Sequence, residues 1–284
     1  MGTLMEASKG RRLLWLDYTD YAGSLFGDGK PPFLDTAACV AWYRKAQGLL
    51  QSDVVALPVG ALFEDWLLAH PTTLEVMRGK SRRAAGPLRE LLAAPALREH
   101  LIDLVKGLRA AFSKSLVILT VPSPPDWIDR AFSLATPGHV AAIDTDSVDA
   151  AASNIADFLR AFSAHGIDAV LMEQTSAVWQ DMTSVWALYE PILNVSQHYG
   201  WDIGLRVSGC ASVIGGSALP CFIIAPDVVN VVNAGIEVPA TFWRGSDVIV
   251  PNLGQFDFAE IPGDVQPEFV LQRLSELRQR GTSW

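Results

Sequence analysis

Short, wholly apolar runs recur along the chain, each stopped by a turn residue and most of them followed by helical sequence. LLWLD (Leu13–Asp17), DVVALPV (53–59), SLVILTV (115–121), HVAAID (139–144), DAVLME (168–173) and WDIGLRV (201–207) are the clearest. They show little polar alternation, so each reads as a strand covered on both faces, the condition of a parallel sheet flanked by helices. Between them the sequence predicts helices over 36–51, through most of 64–112, from Thr145 or Asp146 to Phe162, and over 182–198. A last helix starts near Pro267. Leu97, Leu101, Leu104 and Leu108 place one apolar stripe on a helix face. CFIIAP, IEVPATFW, DVIVP and FDFAEI then add strand-like pieces with little helix among them, leaving the order of the last strands open.

Seven or eight strand-helix units in one chain favour a closed TIM-type (β/α)8 barrel over an open doubly wound sheet. The expected organisation is one α/β domain over residues 1–284, with 1–12 as a flexible extension. A length of 284 residues, half of them hydrophobic with nine Trp and twelve Phe, suits a domain of that size.

The net charge of −9 argues against nucleic acid, because neutralising phosphates needs clustered cations. The one basic cluster, Arg78, Lys80, Arg82 and Arg83, reads as a solvated face beside a helix. No run of about twenty apolar residues offers a membrane span. Arg11 and Arg12 precede LLWL, but Asp17 and Asp20 interrupt it before a signal-peptide core forms. Three cysteines, Cys39, Cys210 and Cys221, cannot all pair, which points to a reducing cytoplasm.

A barrel carries its active site at the carboxyl ends of its strands. The polar residues expected there are Asp17, Asp144, Glu173, Arg206 with Ser208, and Trp243 with Arg244. Arg206 offers a planar fork for a substrate carboxylate or phosphate, or an internal ion pair with Glu173 or Asp144. Glu173 ends a strand and suits general acid or base work if burial raises its pKa. Asp144 shares that role, Asp146 being read as the helix cap. Tyr18 and Tyr21 line the first loop with Asp17, as donors to an oxyanion or as rim cover. Trp179, Trp186 and Trp243 are read as an aromatic wall, with Trp186, inside a helix, better suited to the core. His139 begins a strand and His198 sits near a helix end, so neither is read as catalytic. Cys210 is either a thiolate nucleophile or a small buried hydrophobe.

The run GIDAVLMEQTSAVWQDMTSVWALYEPILNVSQHYGWDIGLRVSG resembles the uroporphyrinogen decarboxylase superfamily, in which a strand ending in an acid leads through a loop to a helix marked by Pro and an aromatic. RRLLWLDYTDYAG, DVVALPVGALFEDW and LTVPSPPDW extend the likeness upstream, so that it loosely covers residues 13–278. The resemblance implies a barrel with one deep pocket. Its relatives include decarboxylases, methyltransferases using corrinoid or thiol partners, and, at greater distance, cobalamin-independent methionine synthase.

Where the zinc-dependent methyltransferases carry His-x-Cys-Gly, this chain carries Arg206-Val207-Ser208-Gly209, and a guanidinium cannot bind zinc. DYTDYAGSLFGDG lacks the arginines with which the decarboxylase holds its substrate carboxylates. Neither a Walker pattern nor G-x-S-x-G is present. The expected activity is a metal-independent lyase, decarboxylase-like, acting on a small or medium organic acid, with no cofactor, zinc and corrinoid being disfavoured. Catalysis is expected from Glu173, Asp144 and Arg206, and binding from Asp17, Tyr18, Tyr21, Ser208, Trp243 and Arg244. A methyltransferase with a corrinoid or folate partner, a non-catalytic binding barrel, and a homodimer stay open.

Overall fold

A computed structural model describes residues 4–9, 11–27, 29–175, 186–208, 210–212, 220–229, 233–245 and 255–280. A helix, α1 (Leu4–Ser8), leads into β1 (Leu13–Asp17). Then follow α2 (Thr19–Phe26), α3 (Thr36–Leu50), β2 (Val54–Pro58), and the helices α4 (Val59–Ala69), α5 (Pro71–Arg78), α6 (Gly86–Ala93) and α7 (Pro95–Ala111). The strand β3 (Leu116–Pro122) is followed by α8 (Pro124–Ala135), α9 (Thr145–Arg160), β4 (Ala169–Gln174), α10 (Glu190–Tyr199) and β5 (Asp202–Val207). The remaining elements are β6 (Cys210–Ser212), β7 (Phe222–Ala225), β8 (Asp227–Val229), β9 (Ala234–Val238), a 3-10 turn (Ala240–Arg244), β10 (Phe256–Glu260) and α11 (Pro267–Arg280).

Eight strands lie in the order β1-β10-β9-β7-β5-β4-β3-β2, every pair parallel, and form a nearly closed TIM-type barrel. The seam between β1 and β2 is bridged by the residues just before β2. Asp53 N donates to Leu14 O at 3.0 Å, Leu14 N to Asp53 Oδ2 at 2.8 Å, and Leu16 N to Ser52 Oγ at 3.0 Å. β6 and β8 pair as a separate short ribbon.

Strand side chains alternate between the two faces of the sheet, and a period of two sorts this barrel cleanly. Leu13, Trp15, Ile118, Leu171, Phe222 and Phe256 belong to the apolar filling of the barrel, whereas Leu14, Leu16, Val117, Val170, Ile203 and Leu205 pack on the helices outside. Trp15 lies in contact with Phe222, Phe256 and Phe258 at centroid distances of 6.2, 6.4 and 5.5 Å. Two glycines make room for these rings. A Cβ on Gly204 would come within 2.1 Å of the Phe222 ring, and one on Gly235 within 2.3 Å of Phe256.

Three local readings are corrected. Residues 139–144 form no strand: β3 pairs directly with β4, leaving no place between them, and Val140 is exposed. The stretch after Asp17, read as a loop, contains α2, closed by Gly27 at φ 80°. The segment 1–12, read as a flexible extension, is structured where it is described. Leu4 is fully buried beneath the barrel, and Met5 N donates to Asp202 Oδ2 at 2.9 Å. Nearby, Arg12 makes a two-bond pair with Asp257, Nε to Oδ2 at 2.8 Å and Nη2 to Oδ1 at 2.6 Å, with both side chains almost wholly buried. DVIVP and Trp179 lie outside the described residues.

Candidate active site

The inward positions of the strands change character toward their carboxyl ends. Following the alternation upward, Leu13 and Trp15 lead to Asp17, Ala169 and Leu171 to Glu173, Gly204 to Arg206, Gly235 to Glu237, and Phe256 and Phe258 to Glu260. Four carboxylates and one guanidinium, each from a different strand, are thereby brought together above the aromatic filling. The register of the sheet fixes this layer: Glu173 pairs with Arg206, and Asp17 with Glu260.

Arg206 is the hub. Its Nη2 donates to Glu237 Oε1 at 2.8 Å and to Glu260 Oε2 at 2.7 Å, while Nη1 reaches Glu173 Oε1 at 3.4 Å. The guanidinium carbon stands 4.6 Å from the centroid of Phe258, which supports it from below. Side-chain exposure rises from 20% at Arg206 and Glu237 through 32% at Glu173 to 50% at Glu260, so the layer is open to solvent on one side. Burial opposes the charged form of Arg206, but the hydrogen bonds and charges of Glu237, and after it Glu260, more than offset this and keep the guanidinium ionised.

Glu173 and Asp17 are pushed the other way. Burial raises the Glu173 carboxyl above the usual carboxylate range, and the charge of Asp17 raises it further, against the pull of Arg206 and Arg130. Burial likewise raises Asp17, the hydrogen bond from Thr19 opposes it, and the charge of Glu260 adds to the rise. Two mutually repelling acids are thus set to hold protons to higher pH than ordinary carboxylates.

Of the residues expected at the site, Glu173, Arg206 and Asp17 are brought together. Asp144 is a correction: it is exposed and caps α9, Oδ1 accepting from Ser147 N at 2.8 Å, and hydrogen bonding from Ser147, its side chain first and then its backbone, holds the carboxyl below the usual range. The cap is Asp144 rather than Asp146 because α9 begins at Thr145, with Asp144 in extended conformation just before it. Trp243 is also corrected, since its side chain is fully buried and cannot wall an open cleft. Arg244 directs its guanidinium to Asp264, at 3.0 and 2.9 Å, on the exposed surface. Tyr18 and Tyr21 are buried, Tyr18 against Trp42 and Tyr43, with its hydroxyl lacking a hydrogen-bond partner among the described residues. Ser208 follows β5 and is exposed. Trp186 is core, in contact with Tyr189. Burial raises the half-buried Cys221 thiol, which lowers its thiolate fraction.

Glu237 and Glu260 were missed. Each is the inward residue at the carboxyl end of a strand piece already recognised, IEVP and FDFAE. Counting the alternation back from those ends would have found both.

Among the described residues no group of three or more His, Cys, Asp or Glu is placed to hold a metal ion, and no helix is long and apolar enough to cross a membrane. No protein-family model and no curated protein matches the chain.

Proposed function

We propose that the barrel mouth is an acid-base active site of the lyase kind. The observation that carries this reading is the convergence of Asp17, Glu173, Glu237 and Glu260 on Arg206 from five strands, at the end of the barrel where such folds do their chemistry. Glu173 is the proton carrier: as an acid it protonates a leaving atom, and as a carboxylate it removes a proton before a carbon–carbon or carbon–heteroatom bond breaks. The charge of Asp17 opposes ionisation of Glu173 and adds to the effect of burial, so Glu173 holds its proton to higher pH than an ordinary carboxylate. Lyase chemistry is among the activities that the resemblance to the uroporphyrinogen decarboxylase superfamily implies, and on a substrate without a carboxylate it would be an elimination and not a decarboxylation. Acid-base cleavage asks for no metal or organic cofactor.

The substrate charge is better read differently from an organic acid. Arg206 already serves three carboxylates, so an incoming anion would have to displace one of them while facing the rest. A neutral polyol or an amine meets no such opposition.

The reading is tested by thermal-shift measurements with small carboxylates, neutral polyols and amines on wild type, Glu173→Gln and Arg206→Met. Neutral or amine compounds are expected to stabilise wild type, by about 2.7 kcal/mol at a hundredfold excess over Kd. Turnover of any stabilising compound is expected to fall by about 10²-fold or more in Glu173→Gln. Stabilisation confined to carboxylates, and lost in Arg206→Met, would overturn the charge assignment and make Arg206 an anion anchor.

A further inference from the structure

We infer that Glu237 and Glu260 are positioning residues, which hold the Arg206 fork away from Glu173 and so leave that carboxyl free to carry a proton. The inference rests on Glu173 being the proton carrier of the mouth. Its basis is the unequal sharing of one guanidinium. The Nη2 nitrogen has two hydrogens, and both are committed, to Glu237 at 2.8 Å and to Glu260 at 2.7 Å. Glu173 receives only the 3.4 Å contact from Nη1, long for a charge-assisted bond. Phe258 supports the guanidinium at 4.6 Å, and the two glutamates determine where the fork points.

If both glutamates lost their negative charge, the same fork would be free to turn toward Glu173 on the adjacent strand β4, and the loss of one would loosen its hold in part. A guanidinium making two short bonds to Glu173 would strip it of its proton at lower pH and spoil it as an acid. On this account the excess of carboxylates is functional: Glu237 and Glu260 occupy the cation while Asp17 opposes ionisation of Glu173, so that Glu173 keeps its proton.

The groups facing Glu173 are Asp17 from β1, Arg206 from β5 and, more weakly, Arg130 from α8, which is itself 3.9 Å from Glu64. Glu237 and Glu260 therefore reach Glu173 through Arg206, and this is what the experiment has to separate from a direct loss of negative charge.

The test is a carbon-13 titration of side-chain carboxyls in protein labelled at Glu Cδ, with Glu173 assigned by the signal missing from Glu173→Gln. It is run on wild type, Glu237→Gln, Glu260→Gln and the double variant, and repeated in Arg206→Met and Arg206→Lys backgrounds. A lysine keeps the charge but cannot share a planar fork among three carboxylates. With Arg206 present, the Glu173 midpoint is expected to fall by about one pH unit, a tenfold gain in acidity, in the double variant, and by less in each single one. In either Arg206 background the glutamine substitutions are expected to leave the midpoint where it stands.

No movement in the Arg206 protein, or an equal movement in all three backgrounds, would overturn the inference. The titration needs no substrate, so it can fail while ligand stabilisation succeeds; conversely, a mouth that binds nothing in the thermal-shift screen refutes the catalytic reading without touching the geometry tested here.

Discussion

Arg206→Met is expected to destabilise the fold by about 3 kcal/mol at pH 8 and by clearly less at pH 5, measured by urea unfolding at both values. The substitution preserves most of the apolar stem over Phe258 but removes the one cation shared by Glu173, Glu237 and Glu260. Partners left behind in a partly desolvated layer repel one another, and that repulsion is present only while they are ionised. Glu173 and Asp17 are already raised by burial, so without the guanidinium they take up protons more readily on acidification and relieve the strain. A loss of equal size at both pH values would mean that the residue contributes packing rather than charge balance.

The other large effect is expected at the opposite end of the barrel. Asp257→Ala removes the bidentate partner of Arg12, whose side chain is only 1% exposed, and a loss of about 3–5 kcal/mol is expected by urea unfolding. Unlike the mouth, this site has no solvent-facing side through which a stranded charge can be hydrated. The double change Arg12→Met with Asp257→Leu is expected to recover most of the loss, because the large penalty belongs to the uncompensated charge and not to the absence of the pair. If the double variant is as unstable as Asp257→Ala, the pair holds the barrel floor in some way that apolar packing cannot replace.

How much of this was legible in the sequence depends on what each residue's signal was local to. The barrel was readable because strands covered on both faces must be apolar throughout, and runs such as LVILTV announce that burial directly. HVAAID misled for a related reason: its composition suits a strand, but nothing in it says whether a neighbouring strand has an edge free to pair, and β3 had already paired with β4. The helix α2 was hidden by Gly23 within it and by the Gly/Pro-bearing sequence that follows, although TDYAGSLF is followed by Gly27 in the left-handed conformation that stops helices.

For the site, Glu173 and Arg206 could be found because each ends a strand whose boundaries were certain. Glu237 and Glu260 belong to strands whose order was open, and a charge network spanning β4, β5, β9 and β10 is a property of the closed barrel, which no single segment contains. Asp144 shows the converse. A cap and a catalytic acid look alike in sequence, and only the backbone of the following helix distinguishes them.

The proton-holding mouth can be tested without knowing any substrate, through the pH dependence of stability in Glu173→Gln relative to wild type. A carboxyl whose pKa is higher in the folded than in the unfolded chain binds more protons when folded. Wild type therefore loses stability as pH rises from the ordinary carboxylate range, about 4, through the raised value. Glutamine does not titrate, so the variant is predicted to gain on wild type as the pH rises from about 4 through the raised Glu173 value. A variant that instead falls further behind wild type as the pH rises would show that Glu173 is held ionised in the folded state, and would contradict its role as the proton carrier.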